Sequence, residues 1–359
     1  MTVAIVQATI DTVDRAMGEL LDLLEYRPRR EALFIKPNLP EAGPPGLGLY
    51  TDPAVVGALL KRFTGRQVVI GEGVIVGRDA NAALAKTGYA ALAERHGASA
   101  VDLERAERFE VDWPFGQLRL PAYLNTHEYI NVAKMKTHVQ TGVTLGMKNQ
   151  KGLLTHSDKR RFHRLGLNEC IRALAEVAQP ALTIVDGIVA LEGDGPWRYG
   201  RAKQMNLLVG GADVIEVDNV CLQLMSFSPE HAAHIPLLSE VHTVGLSIAE
   251  ARRQFEFDYK GYFRYKNVYE HLYDSCSGCN WTLYNAFRAV RSSRWRRLRF
   301  LYRGAWRRMD IVMGHAARLP EGHGRVVCLG DCALKFAQEQ GLPIARGCPP
   351  DTDAVLKLL

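Results

Sequence analysis

Apolar and polar positions alternate along this chain in a regular rhythm. Val3–Ala8 reads as a short buried strand. Thr12–Leu24 repeats its apolar residues at helical spacing, and Ala32–Asn38 is strand-like again. After a loop rich in Gly and Pro, Pro40–Gly48, the pair Asp52-Pro53 supplies an N-cap and a first-turn proline for a helix over Ala54–Phe63. Gln67–Ile70, Asn81–His96 and Ala98–Leu103 continue as strand, helix and strand. Tyr129–Ala133, Leu182–Val185 and Leu207–Val209 add strands, and Asn168–Val177 and Val214–Met225 add helices. This alternation predicts an α/β fold, a mostly parallel sheet with helices on both faces.

The rhythm fails near residue 250, where Phe255–Tyr273 is rich in Tyr, Phe and charge. It resumes with strands at Asp310–Met313, Arg325–Leu329 and Leu342–Ala345 and a helix at Ala333–Gln340. Two domains are expected: an α/β domain over residues 1–250 and a smaller C-terminal α/β domain, 251–359, that contains most of the cysteines. No run of eighteen apolar residues exists, so no membrane span is expected. The N-terminal residues carry no export signal, and the expected location is cytoplasmic.

Charge changes the picture in one place. The formal net charge is +6, yet nine arginines lie between Arg288 and Arg308 with no acidic residue among them. The rest of the chain is slightly acidic, so the basic character is local. Asn285–Arg308 reads as a helix with Trp295, Phe300, Tyr302 and Trp306 interleaved. It is read first as a solvated connector whose aromatics pack on the domain. The alternatives are a docking site for an acidic electron donor of ferredoxin or flavodoxin type, a membrane surface, or nucleic acid, the last being disfavoured.

The cysteines supply the first candidate chemistry. Seven is an odd number, and five fall in the last third. In a cytosolic protein that favours metal or redox chemistry over a disulfide framework. Cys276-Ser277-Gly278-Cys279 can turn two thiolates onto one metal. Cys332 and Cys348 each follow a strand, where open α/β sheets place their sites. These four are the expected ligands of an iron–sulfur cluster of [4Fe-4S] type, with structural zinc as competitor. Cys328, Cys170 and Cys221 sit in apolar patterns and read as core.

The second candidate is the stretch Lys134–Lys148, which follows a strand. Lys134, Lys136 and Lys148 offer charge-assisted donors to a carboxylate or phosphate, and Thr137, Thr141 and Thr144 offer hydroxyls. His138 can shuttle protons near neutrality. The bland alternative is a solvated loop, but Val143, Leu145, Met147 and the glycines imply packed backbone, which requires an anionic partner from the protein or a ligand. Lys36, Asn38, Glu72, Asn149 and Asp186 sit at or near other strand ends and complete the expected site, with Glu72 or Asp186 as a second carboxylate. No nucleotide-binding glycine fingerprint is present: Gly71-Glu72-Gly73 is followed by Gly77, one residue too far.

Lys36-Pro37-Asn38, Ile130-Asn131-Val132, Lys134-x-Lys136-Thr137-His138, Thr141-Gly142-x-Thr144 and Lys148-Asn149 together resemble the family called domain of unknown function 362. Asp186-Gly187, Glu192-Gly193 with Gly195-Pro196, and Asp213 to Asp218 fit its later part, so the resemblance covers roughly residues 30–225. It implies the α/β fold, the basic site and association with cysteine-rich iron–sulfur segments, and it implies no particular reaction. The tail here lacks the closely repeated Cys-x-x-Cys of tandem ferredoxins. The resulting expectation is an iron–sulfur enzyme, redox in type, acting on a small anionic substrate. A dehydratase or isomerase follows if only three cysteines ligate. The rival is a non-catalytic iron–sulfur carrier or partner subunit.

Overall fold

A computed structural model describes residues 2–196, 200–256, 267–273, 275–302 and 307–359. The strands are β1 (Thr2–Gln7), β2 (Ala32–Pro37), β3 (Gln67–Glu72), β4 (Ser99–Asp102), β5 (Arg108–Trp113), β6 (Gly116–Pro121), β7 (Glu128–His138), β8 (Gly142–Val143), β9 (Leu182–Gly193), β10 (Gly200–Gly211), β11 (His242–Gly245), β12 (Val268–Leu272), β13 (Met309–Met313), β14 (Arg325–Leu329) and β15 (Ile344–Ala345). The helices used below are α1 (Val13–Leu23), α2 (Pro53–Arg62), α3 (Ala80–Lys86), α4 (Tyr89–Arg95), α5 (Tyr123–Thr126), α6 (Leu145–Asn149), α7 (His156–Leu165), α8 (Leu167–Val177), α9 (Val214–Leu224), α10 (Ile248–Ala251), α11 (Ser277–Ser292) and α12 (Arg294–Phe300). The chain divides into two compact units, Met1–Lys159 with Asn168–Asp258, and Arg160–Leu167 with Tyr259–Leu359.

The first unit is built on a large sheet in the order β11-β1-β10-β9-β7-β2-β3-β4. The neighbours from β9 through β7, β2 and β3 to β4 are parallel, whereas β10 runs antiparallel to both β1 and β9. The fold is thus α/β with a mostly parallel sheet. Its antiparallel part comes from β10, set between β1 and β9, and β9 and β10 are far longer than the apolar runs Leu182–Val185 and Leu207–Val209 suggest. Ladder pairing carries both strands through polar positions such as Glu192↔Arg201 and Ala190↔Lys203. On one face α1 to α4 bury Met17, Leu20, Val55, Leu59, Leu84 and Tyr89 against Ile35, Ile130, Val132 and Ile184. On the other face α6 and α9 pack so closely that a Cβ on Gly146 would stand 2.8 Å from Val214 and 2.9 Å from Thr183.

Local signals explain several boundaries. Asp52 accepts from the Ala54 N–H at 2.9 Å and caps α2, with Pro53 in its first turn. The helix expected over 81–96 is two helices, because Gly88 takes φ 85° and turns the chain between α3 and α4.

The second unit holds a four-stranded, wholly parallel sheet in the order β12-β13-β14-β15. Its core gathers Val312, Val326, Cys328, Ala333 and Ala337, so Cys328 packs as the sequence suggested. The arginine-rich helix breaks at Ser293, which is extended and caps α12 by accepting from the Arg296 N–H at 3.4 Å. Trp306 lies outside the described residues.

Candidate functional site

β2 and β3 carry Lys36 and Glu72 at their carboxyl ends, and the longer β7 and β9 carry Lys134, Lys136 and Asp186 within their runs, Lys134 opposite Asp186. β7 is buried along its whole length, so the polar residues at its end lie inside protein. Alternation on a strand puts Lys134 and Lys136 on one side, yet the two lysines meet different partners. Lys134 Nζ donates to Asp186 Oδ2 at 2.7 Å, and both side chains are essentially inaccessible. Asp186 also accepts from the N–H groups of Asp52 and Ile188. Lys136 Nζ donates to the Leu49 carbonyl at 2.6 Å, and among the described residues it has no carboxylate partner.

A second pair lies beside the first. Lys36 Nζ donates to Glu72 Oε2 at 2.9 Å, and Glu72 also accepts from the N–H groups of Leu39 and Gly73. Asn149 Oδ1 accepts from Lys36 and from Asn38 Nδ2, while its amide donates to Asn131. Asn131 in turn donates to the Gly146 carbonyl, and Asp218 accepts from the Gly146 and Met147 N–H groups. Gly152 packs directly on the ion pair: a Cβ there would lie 2.4 Å from Lys36 Nζ and closer still to Glu72 Oε1. Burial outweighs the pull of Glu72 and holds Lys36 below the ordinary lysine range. Burial likewise raises Asp218 to about 7, against the opposing pull of the two N–H groups.

The expected threonines divide the same way. Thr137 Oγ1 donates to the Gly193 carbonyl at 3.0 Å, and Thr141 Oγ1 to the Val143 carbonyl at 3.0 Å. Thr144 is buried, its N–H donates to the Lys136 carbonyl, and its hydroxyl has no partner among the described residues. Lys136 is brought down to about 7, first by burial and then by Lys134. Lys148, half-buried, is brought down to about 7 by burial and by Lys136. No carboxylate pairs with Lys148 among the described residues. His138 ends β7 with Nδ1 accepting from the Gln140 N–H at 3.1 Å, which leaves the neutral ring's proton on Nε2.

One residue of this neighbourhood was not legible in the sequence. His234 is wholly buried, neither ring nitrogen has a partner among the described residues, and burial together with Lys148 and Arg172 lowers it to about 3. It is a neutral imidazole within electrostatic reach of Lys148. The pattern around it, His231-Ala232-Ala233-His234, carries no motif that separates it from a surface turn.

In the second unit Cys276, Cys279, Cys332 and Cys348 form a group in which every pair is within electrostatic reach. Contact with Cys276 leads the causes that push the Cys279 thiol well up, followed by burial and then by Cys332 and Cys348. Burial raises Cys332 to about 11, with Cys276 and Cys348 adding to it and Arg164 opposing. Burial and then Cys276 raise Cys348, against Arg160 and Arg164. Glycines clear the space: a Cβ on Gly330 would come within 2.7 Å of Cys279 Sγ. Among the described residues no three His, Cys, Asp or Glu side chains close tightly enough to hold a metal ion.

Residues 33–223 match the family model described as domain of unknown function (DUF362). The chain belongs to the DUF362 family. A curated relative, the "Thylakoid-associated protein sll1697" of Synechocystis sp., is 30% identical over 237 residues, 63% of this chain and 71% of the relative. No solved structure matches. The DUF362 region contains both ion pairs, Lys136, Thr144 and Lys148, and it ends before His234 and the four thiols. No helix among the described residues is long and apolar enough to cross a membrane.

Proposed function

We propose that this DUF362 protein is an iron–sulfur enzyme, redox in type, acting on a small carboxylate or phosphate. The observation that carries the reading is the gathering of Cys276, Cys279, Cys332 and Cys348, in which Cys276, Cys332 and Cys348 each raise the pKa of at least one other. With their pKa values raised the thiols stay protonated near neutrality, and a cationic inorganic core would take them up as thiolates with release of their protons. These four would hold a [4Fe-4S] cluster, which when bound supplies one-electron transfer. Arg160 and Arg164 add positive charge suited to an anionic cluster. The seven cysteines are free thiols, which suits a reducing cytoplasm.

For the substrate, Lys136 and Lys148 offer ammonium groups with no carboxylate of their own, and Thr144 offers a hydroxyl. His138 donates or accepts the proton at Nε2. Glu72 and Asp186 are engaged by Lys36 and Lys134, so in this reading the four groups, with Asn38 and Asn149, fix the frame around the anion.

Reduction with dithionite under argon is expected to give the EPR signal of a reduced cluster in the wild type and in Lys136→Ala/His138→Ala, and none in Cys276→Ser/Cys332→Ser. A panel of small carboxylates and phosphates is then offered to the reduced protein while the visible absorbance is followed. Reoxidation by one of them in the wild type, lost in Lys136→Ala/His138→Ala, supports the enzyme. A reduced cluster inert to the whole panel favours the carrier, and absence of any EPR signal removes the cluster.

A further inference from the structure

From α12 we infer that the second unit carries a docking surface for an anionic lipid membrane, centred on Trp295, Leu298 and Tyr302. Three large hydrophobic side chains in this short stretch face water, with Trp295 82%, Leu298 50% and Tyr302 90% exposed. Their spacing, three and then four residues, is that of one helical stripe. Phe300 falls on the opposite side at about 100° per residue. It is 1% exposed and meets Phe287 edge-on, with ring centroids 5.6 Å apart. The helix is therefore anchored by one aromatic while it turns an apolar stripe outward.

Charge decides what covers that stripe. Arg294 and Arg299 flank it on either side, and both are exposed. Between Arg288 and Arg308 nine arginines occur with no acidic residue. An indole and a phenol set among guanidinium groups match a lipid headgroup layer: the rings enter the boundary with the acyl chains while the arginines stay with the phosphates. The short helix lies in the interface and does not span it. An acidic protein would satisfy the arginines. It would have to provide a complementary apolar pocket for each of the two most exposed rings, whereas a lipid surface accepts them without one.

The test is co-sedimentation of the full-length protein with vesicles of phosphatidylcholine alone and of equal parts phosphatidylcholine and phosphatidylglycerol. Binding is expected to the second and not to the first, and to weaken with added salt. Arg294→Gln with Arg299→Gln should lower partitioning roughly 30-fold, at the usual contribution of each surface arginine. Trp295→Ser with Tyr302→Ser should lower it on the mixed vesicles at low salt too. Thermal unfolding of each variant should match wild type, since these side chains are exposed. Failure to bind the mixed vesicles, or binding unmoved by both double variants, overturns the proposal. Capture by a reduced ferredoxin without capture by vesicles overturns it in favour of a protein partner.

Discussion

The two units treat buried polar groups in opposite ways. At the edge of the first sheet, Lys36 with Glu72 and Lys134 with Asp186 are closed pairs whose carboxylates also accept from backbone N–H groups, while Lys36 donates further to Asn149 Oδ1. In the second unit, the four thiols of the cysteine group have chiefly one another. The first arrangement is complete without a ligand. In the second, burial and mutual proximity push Cys279, Cys332 and Cys348 up, which keeps these groups as neutral thiols near pH 7. A contrast recurs within the first unit, where among the described residues Lys136 and Lys148 have no carboxylate partner and the Thr144 hydroxyl and both His234 ring nitrogens have no hydrogen-bond partner. Chemistry is to be sought where the protein leaves polar groups open.

Breaking a closed pair should have the largest effect. Asp186→Ala leaves the Lys134 ammonium buried and uncompensated, and chemical denaturation should show a loss of about 3–5 kcal/mol. An unchanged midpoint would mean that the pair is not the frame described above. Gly152→Ala is next. Its methyl would intrude on Lys36 and Glu72, and overpacking of this kind costs about 1–3 kcal/mol. The smallest stability effect belongs to Lys136→Met, which removes an unpaired buried charge and should leave stability unchanged or raise it by about 1 kcal/mol near neutral pH. Its larger consequence should be loss of phosphate binding, read by calorimetry.

The pH dependence sharpens the same contrast. Lys136, Lys148 and the buried Lys159, whose Nζ donates to the Gly73 and Val74 carbonyls, lose their protons near pH 7 in the folded protein, mainly through burial, whereas the unfolded chain holds them to about 10.5. The unfolded state therefore binds more protons between those values, and stability should rise with pH across that window. Below about 7 both states are protonated and the penalty is fully present. Lys136→Met should flatten the rise in denaturation midpoint. Phosphate affinity should fall as pH climbs through about 7, because the ammonium groups that bind it discharge.

Much of this was legible in the residues. Asp52-Pro53 marked a helix start, and the strand–helix rhythm marked a mostly parallel sheet. The lysines, threonines and His138 were recognisable because a basic run studded with Val143, Leu145 and Met147 is packed. What the pattern lacked was partner choice. Lys134 and Lys136 are equivalent in sequence, and only the register of β7 on β9 gives the first a carboxylate opposite it. His234 was hidden because its role comes from burial. The length of β9 and β10 was hidden because ladder pairing sustains polar residues that no apolar run announces.

The cluster itself is tested most directly by iron and acid-labile sulfide determined on protein purified without oxygen. About four of each per chain are expected, as for one [4Fe-4S] centre, with Cys332→Ser sharply lowering both. Colourless wild-type protein that contains stoichiometric zinc, or no metal, contradicts the assignment.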